Sequence, residues 1–206
     1  MSDTFKTAEI RWFIVGFIPE KIKKRLDLRI FKNQPEREDI YLKTDDGKNT
    51  GVKIREERLE IKTLLSMTGK HISYKKISGE IGLWIKIGSL LKKESQSLFK
   101  GNEIRVRKKR SILGLQYKKS KIIPYHYDLI NLASGCMIEV SEIKIMKNNY
   151  WSINLECWNT DEDPAISLVD YASFAFTKYL SVFQKNSYLT DQNCLSYPEF
   201  LGSLHY

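Results

Sequence analysis

The sequence predicts one α+β domain that consists mostly of antiparallel β-sheet. Short runs in which apolar and polar residues alternate, the periodicity of a strand, recur along the chain and are separated by turn residues. Only one long segment, 165–185, has helical periodicity. The 206 residues show no internal repeat or linker and are enough for one sizeable core. We therefore expect a single domain over residues 1–206.

The predicted strands follow one another at short intervals, with turns between them. A turn is predicted at Asp45, Asp46 and Gly47, and a hairpin turn at Lys147, Asn148 and Asn149. The strands are Ala8–Phe17, Glu38–Thr44, Val52–Glu56 and Leu59–Leu65, Gly82–Ile87, the pair Ile104–Arg110 and Leu113–Lys118, and the hairpin Met137–Met146 and Trp151–Trp158. The segments 52–56 and 59–65 form either a hairpin or one long strand with a break near Glu57.

Two helices are predicted. Pro19 opens a short helix, since proline is favoured in a first helical turn. The segment Ala165–Lys185 places Ile166, Val169 and Phe176 on an apolar stripe after an acidic start, which predicts an amphipathic helix. The tail from Tyr188 to Tyr206 is aromatic and irregular, and we expect it to pack across this helix.

Composition and charge narrow the classes of protein and partner. Hydrophobic residues make up 42% of the chain and charged residues 29%, as in globular proteins. The formal net charge of +9 favours polyanionic partners. Three cysteines without CxxC spacing argue against a disulfide framework or zinc site. We expect a cytoplasmic protein without a membrane segment, and a homodimer on base rates.

Charged residues alternate with the apolar ones along several predicted strands. Examples are Lys53 and Arg55, Glu60 and Lys62, and Arg105 and Arg107. Each strand therefore has one apolar and one polar face. The polar face either lies in solvent or lines the lumen of a barrel whose outer face is covered. In the second case, convergent Lys and Arg side chains form a site for phosphate oxygens.

The order of motifs resembles the CYTH superfamily, the triphosphate tunnel metalloenzymes. The resemblance covers most of the chain and rests on EIRWF at 9–13, REDIYL at 37–42, GVKIRE at 51–56, LEIK at 59–62, IRVRKKR at 104–110, IEVSEIKI at 138–145, YWSINLECW at 150–158 and SYPEFL at 196–201. It implies a CYTH-like eight-stranded antiparallel tunnel barrel with flanking helices.

The resemblance also implies roles for residues. By position, the expected phosphate contacts are Lys53, Arg55, Lys62, Arg105 and Arg107. Acidic residues in the family hold one or two divalent metals, which here corresponds to Glu9, Glu139 and Glu156 with Mg²⁺ or Mn²⁺.

The first strand departs from the family signature E-x-E-x-K. Glu9 matches its first position, but Arg11 and Phe13 replace a carboxylate and a basic residue. A cation repels Mg²⁺ and an aromatic ring offers it no oxygen ligand. Arg11 is therefore a further candidate phosphate contact, and it is expected to supply positive charge where relatives use a metal.

These observations lead to three hypotheses about function. The first is a protein that binds a nucleotide, triphosphate or polyphosphate in a basic tunnel, as a triphosphatase-type phosphohydrolase with a degenerate metal site. The second is a non-catalytic module that binds a phosphorylated small molecule or polyphosphate. The third, ranked behind these, is a nucleic-acid-binding β protein, suggested by the basic run from Arg105 to Arg110.

Overall fold

The computed structural model of the chain describes residues 3–26, 28–43, 48–90, 101–125 and 133–204. It contains ten strands and three α-helices within these ranges. The strands are β1 (Asp3–Val15), β2 (Lys32–Asn33), β3 (Arg37–Leu42), β4 (Thr50–Arg55), β5 (Arg58–Tyr74), β6 (Ile77–Leu90), β7 (Glu103–Lys118), β8 (Lys121–Tyr125), β9 (Ser134–Ile145) and β10 (Asn148–Asn159). The helices are α1 (Glu20–Lys23), α2 (Pro164–Lys178) and α3 (Tyr197–Ser203).

Eight strands close into an antiparallel barrel, which confirms the predicted fold class. Their order is β7-β3-β4-β5-β6-β1-β10-β9, and β9 pairs with β7 to complete the circle. The short strands β2 and β8 pair with β7 outside this circle. β1 lies between β6 and β10, so that Ala8 is paired with both Leu83 and Cys157. Within the described ranges, no helix has the length and apolarity needed to cross a membrane.

The main apolar core lies outside the barrel wall, beneath α2. Ile10 and Trp12 of β1 face outward and are almost completely buried. The Trp12 ring meets Phe176 of α2 edge-on at a centroid distance of 6.0 Å, and its indole Nε1 donates to the carbonyl oxygen of Ser78 at 2.8 Å. Asp163 caps α2 by accepting from the backbone N–H of Ala165 at 3.0 Å. The helix thus covers one side of the wall and excludes water from it.

A second apolar cluster closes one end of the barrel from inside. Phe13 of β1 stacks on Phe200 of α3 with a centroid distance of 3.9 Å, and Tyr41 of β3 stacks on Tyr197 of α3 at 5.2 Å. Ser196 and Glu199 form a capping box that fixes the start of α3. We call α3 with these aromatic contacts the floor of the barrel.

Two predicted elements have a different form in the structure. The expected pair 104–110 and 113–118 is one continuous strand, β7, because Ser111 and Ile112 stay extended and pair with both β2 and β9. The helix predicted over 165–185 ends at Lys178, and a 3₁₀ turn follows at Ser181–Lys185. The predicted turn at 45–47 lies outside the described residues.

Other predicted strands are longer in the structure: β1 begins at Asp3, β5 extends to Tyr74, and β6 covers Ile77–Leu90. Of the two alternatives predicted for 52–65, the structure has the hairpin, β4 and β5, joined at Glu56 and Glu57, which both have positive φ. Such values are typical of the tight turns that match strand twist. The tail contacts the barrel at two places: Tyr188 packs against Trp151 beside the main core, and α3 packs into the barrel end. Packing of the tail across α2 stays a prediction.

Candidate functional site

The inner face of the barrel carries an unusual density of charge. Strand alternation turns Glu9 and Arg11 of β1 into the lumen, opposite the outward Ile10 and Trp12. Following the registers around the barrel, the described inner face holds nine basic and five acidic side chains: Arg11, Arg37, Lys53, Arg55, Arg58, Lys62, Lys86, Lys108 and Arg110, with Glu9, Asp39, Glu60, Glu139 and Glu156.

Arg11 is the centre of the first ion-pair network. Its Nε donates to Glu9 at 3.2 Å, and its Nη1 donates to Glu139 at 3.1 Å and to the hydroxyl of Ser152 at 3.3 Å. Arg110 also donates to Glu139, at 3.3 Å. The guanidinium of Arg11 thus lies between two of the carboxylates predicted as metal ligands, each of which has a further basic partner.

Lys108 is the centre of a second network beside the floor. Its Nζ donates to Asp39 and to the hydroxyl of Tyr41, both at 2.8 Å, and lies 3.9 Å from the ring centroid of Tyr197. Arg37 also pairs with Asp39, at 3.2 Å. The Lys108 side chain is therefore held in a buried place by one carboxylate, one hydroxyl and an aromatic face.

A third group of charges lies on β4, β5 and β6. Lys53 pairs with Glu60 at 2.8 Å, and Arg55 pairs with the same carboxylate. Lys62 of β5 pairs with Glu9 of β1. Together with the pair between Lys86 of β6 and Glu156 of β10, these contacts bring basic residues from three strands and their acidic partners towards the lumen axis.

Burial and neighbouring cations act against each other on the carboxylates. Burial opposes ionisation of Glu139, but Arg11 and Arg110 outweigh it and hold its pKa at about 2. The pKa of Glu9 lies further below its ordinary value, because Lys62 and Arg11 again outweigh burial. Both groups are therefore carboxylates at neutral pH.

Among the lumen lysines, burial outweighs the neighbouring carboxylates at three positions, whereas Glu156 and Glu9 outweigh burial at Lys86 and raise its pKa. Burial lowers the pKa of Lys62, only partly offset by Glu9, and it lowers the pKa of Lys108 strongly despite Asp39. Burial also lowers the pKa of Lys53. Because these ammonium groups are incompletely compensated, a further anion near them would be stabilised.

Unpartnered polar atoms are concentrated in the same place. Of nine buried side-chain nitrogen and oxygen atoms without a hydrogen-bond partner in the described structure, seven belong to inner-face residues or to Tyr197 of the floor. Two of these seven, Arg37 Nε and Asp39 Oδ1, form an ion pair with each other. Asn154 is fully buried between Arg11 and Glu139 in register, and both atoms of its amide are unpartnered. Buried polar groups are normally paired, so these atoms can bind water or a polar ligand.

The structure brings most of the predicted site residues together. Arg11, Lys53, Arg55 and Lys62 face the lumen, as do the three glutamates predicted for metal, Glu9, Glu139 and Glu156. Glu9 and Glu156 lie directly opposite each other on β1 and β10. Their roles in binding phosphate or metal stay predictions, but their convergence on one lumen is a feature of the fold.

Arg105 and Arg107 lie elsewhere. Both point away from the lumen, have side chains that are 58% and 62% exposed, and pair with Glu38 on the outer face of β3. On β7 the alternation is reversed from the expected one, because Ile104 and Val106 face inward to pack in the floor cluster. The inner basic residues of this strand are Lys108 and Arg110.

Seven inner-face charges were not among the predicted site residues. They are Arg37, Asp39, Arg58, Glu60, Lys86, Lys108 and Arg110. The basic run at 104–110 contains Lys108 and Arg110, and the strand around Lys86 alternates, so both signals are present in the sequence. Which face of each strand turns inward depends on closure of the barrel and on α3.

The glutamates do not fit a divalent metal well. Glu9 and Glu139 share the Arg11 cation, while Glu156 pairs with Lys86. No group of three or more His, Cys, Asp or Glu side chains in the described ranges has an arrangement suited to a metal ion. Lys and Arg side chains therefore already neutralise the carboxylates that Mg²⁺ or Mn²⁺ would require as ligands.

No protein-family model matches the chain, and no curated protein matches it by sequence. The closed eight-stranded barrel is compatible with a tunnel-barrel fold.

Proposed function

We propose that this protein binds a phosphate-rich anion, such as a nucleotide, inorganic triphosphate or polyphosphate, in the lumen of its barrel. The observation that carries the proposal is the excess of basic over acidic side chains on the inner face, nine against five. Lysine and arginine bind phosphate oxygens through charge-assisted hydrogen bonds. The closed barrel is also the architecture that a divergent CYTH-like protein would have.

The proposed binding does not depend on a divalent metal. Arg11 is held between Glu9 and Glu139, so a fixed positive charge occupies the region where the family places metal ligands. A triphosphatase of this superfamily needs a metal to neutralise charge that develops during phosphoryl transfer. The contacts of Arg11 therefore favour a binding module over a phosphohydrolase.

Thermal unfolding with inorganic tripolyphosphate, ATP or a short RNA, each with Mg²⁺ or with EDTA, tests this function. A ligand at a hundredfold excess over its Kd stabilises the native state by about 2.7 kcal/mol. For a chain of this size, that raises Tm by roughly 5–10 °C. We expect this shift with tripolyphosphate in EDTA, and no release of phosphate in the same samples.

Two variants provide a matched comparison. Lys62→Gln removes an inner-face charge, whereas Lys109→Gln removes an outer-face charge whose side chain is 67% exposed. We expect the first variant to lose most of the Tm shift and the second to keep it. Stabilisation that disappears in EDTA, with phosphate released in Mg²⁺, would instead support the phosphohydrolase. A rise in Tm with RNA alone would support the hypothesis of a nucleic-acid-binding protein.

A further inference from the structure

We infer that the lumen is a cup with one mouth, so that the protein captures the end of a linear phosphate chain and not an internal segment. This inference rests on the proposed function, because it concerns the same site. It specifies which part of the ligand enters the lumen and from which end of the barrel it enters.

The closed end of the cup is formed by α3 and the rings around it. Tyr197 and Phe200 of α3 pack against Phe13 of β1 at centroid distances of 4.9 Å and 3.9 Å. The chain leading into α3 is tied to the wall, since the backbone N–H of Leu195 donates to the carbonyl oxygen of Arg11 at 3.0 Å. A groove of about 250 Å³ outside this end reaches Lys108 and Tyr150, but both side chains are buried.

The exposure of the inner-face charges shows where solvent enters. Near the floor, the side chains of Arg11 and Lys108 are 7% and 3% exposed. Towards the other end, those of Arg55 and Lys86 are 25% and 36% exposed. Among the described residues, water therefore reaches the inner face from the end that carries Arg55 and Lys86.

This geometry distinguishes the two kinds of phosphate in a linear chain. An internal phosphate is linked on both sides, so it can lie deep in a lumen only if the polymer leaves through a second opening. A terminal phosphate is linked on one side and has an additional unbridged oxygen. The unpartnered Asn154 amide and Arg110 Nε lie on the inner face with Arg11, where they suit a group that seeks several hydrogen bonds.

The test compares short and long linear polyphosphates of narrow length distribution by titration calorimetry in EDTA at physiological salt. Both are measured with the native protein and with Lys62→Gln, whose signal gives the non-specific binding to the outer surface. We expect the specific stoichiometry to be at most one protein per chain end at either length. Blocking both ends with a bulky phosphoramidate should abolish the specific signal.

The possible failures are distinguishable. A specific stoichiometry that grows with chain length, or that is unchanged by the end groups, would overturn capture of the chain end and leave phosphate binding in the lumen standing. Absence of specific binding to tripolyphosphate and to both polymers would overturn the proposed function, and this inference with it.

Discussion

The two faces of the barrel wall have opposite properties. On β1, Ile10 and Trp12 face outward into an apolar layer under α2, whereas Glu9 and Arg11 face inward into a network of charges. Burial of apolar area stabilises the fold directly. Buried ion pairs contribute little net stability, because desolvation offsets their attraction. The outer face therefore maintains the barrel, whereas the inner face buries many charges with little gain in stability.

The largest expected effect is the loss of an outer-face side chain. Trp12→Ala removes a fully buried indole, its contact with Phe176 and its hydrogen bond to Ser78. The expected loss is ~3–5 kcal/mol in the free energy of unfolding, measured by urea denaturation. A loss below 1 kcal/mol would show that the layer under α2 does not maintain the barrel.

The second prediction concerns acid unfolding and Glu139. Its pKa is about 2 in the folded protein and lies near 4.3 in an unfolded chain. A lowered pKa gives stability that is present above the unfolded value and is lost as pH falls towards the folded one. This amounts to roughly 3 kcal/mol.

Unfolding at several pH values between neutral and about 2 measures this contribution. Other lumen carboxylates, such as Glu9, lose stability over the same range, so the native curve contains several contributions. Glu139→Gln has no group to titrate at this position, so its free energy of unfolding should fall less steeply as the pH is lowered. The same dependence of unfolding free energy on pH in the two proteins would contradict the role of Arg11 and Arg110 in lowering this pKa.

The third prediction separates the charge of Arg11 from its packing. Arg11→Met keeps an apolar stem similar to that of arginine but removes the guanidinium, and leaves Glu9 with Lys62 and Glu139 with Arg110 as basic partners. We expect a loss of about 1–3 kcal/mol. The double variant Arg11→Met/Glu139→Gln should recover part of this loss. Additive effects in the double-mutant cycle would show that the two groups do not interact.

The smallest effect on stability is expected at the mouth of the cup. Lys86→Gln removes a partly exposed charge that pairs with Glu156, so the free energy of unfolding should change by about 0.5 kcal/mol or less. Its affinity for tripolyphosphate should nevertheless fall about tenfold or more, since a charge-assisted hydrogen bond is lost. Equal affinity in the variant, measured by calorimetry, would remove Lys86 from the site.

The sequence predicted the fold class and the faces of most strands, because alternation alone separates Glu9 from Ile10 and Glu139 from Ile138. It placed the inner basic residues of β7 at Arg105 and Arg107, since apolar residues were assumed to face outward on every strand. The floor reverses that rule: Ile104 packs inside the barrel. Contacts between strands far apart in sequence, and with α3, decide this face, and no local pattern contains them.

The position of β1 in the barrel has a consequence for how the chain folds. β1 comes first in the sequence among the strands but lies between β6 and β10, where Ala8 pairs with Leu83 and Cys157. Until β10 has formed, β1 and β9 each have an edge with unsatisfied backbone groups, which favours aggregation. Pairings this distant in sequence also slow folding. The slow step of refolding should therefore be the pairing of β10 with β1 and β9. The charged lumen should exist only after that step.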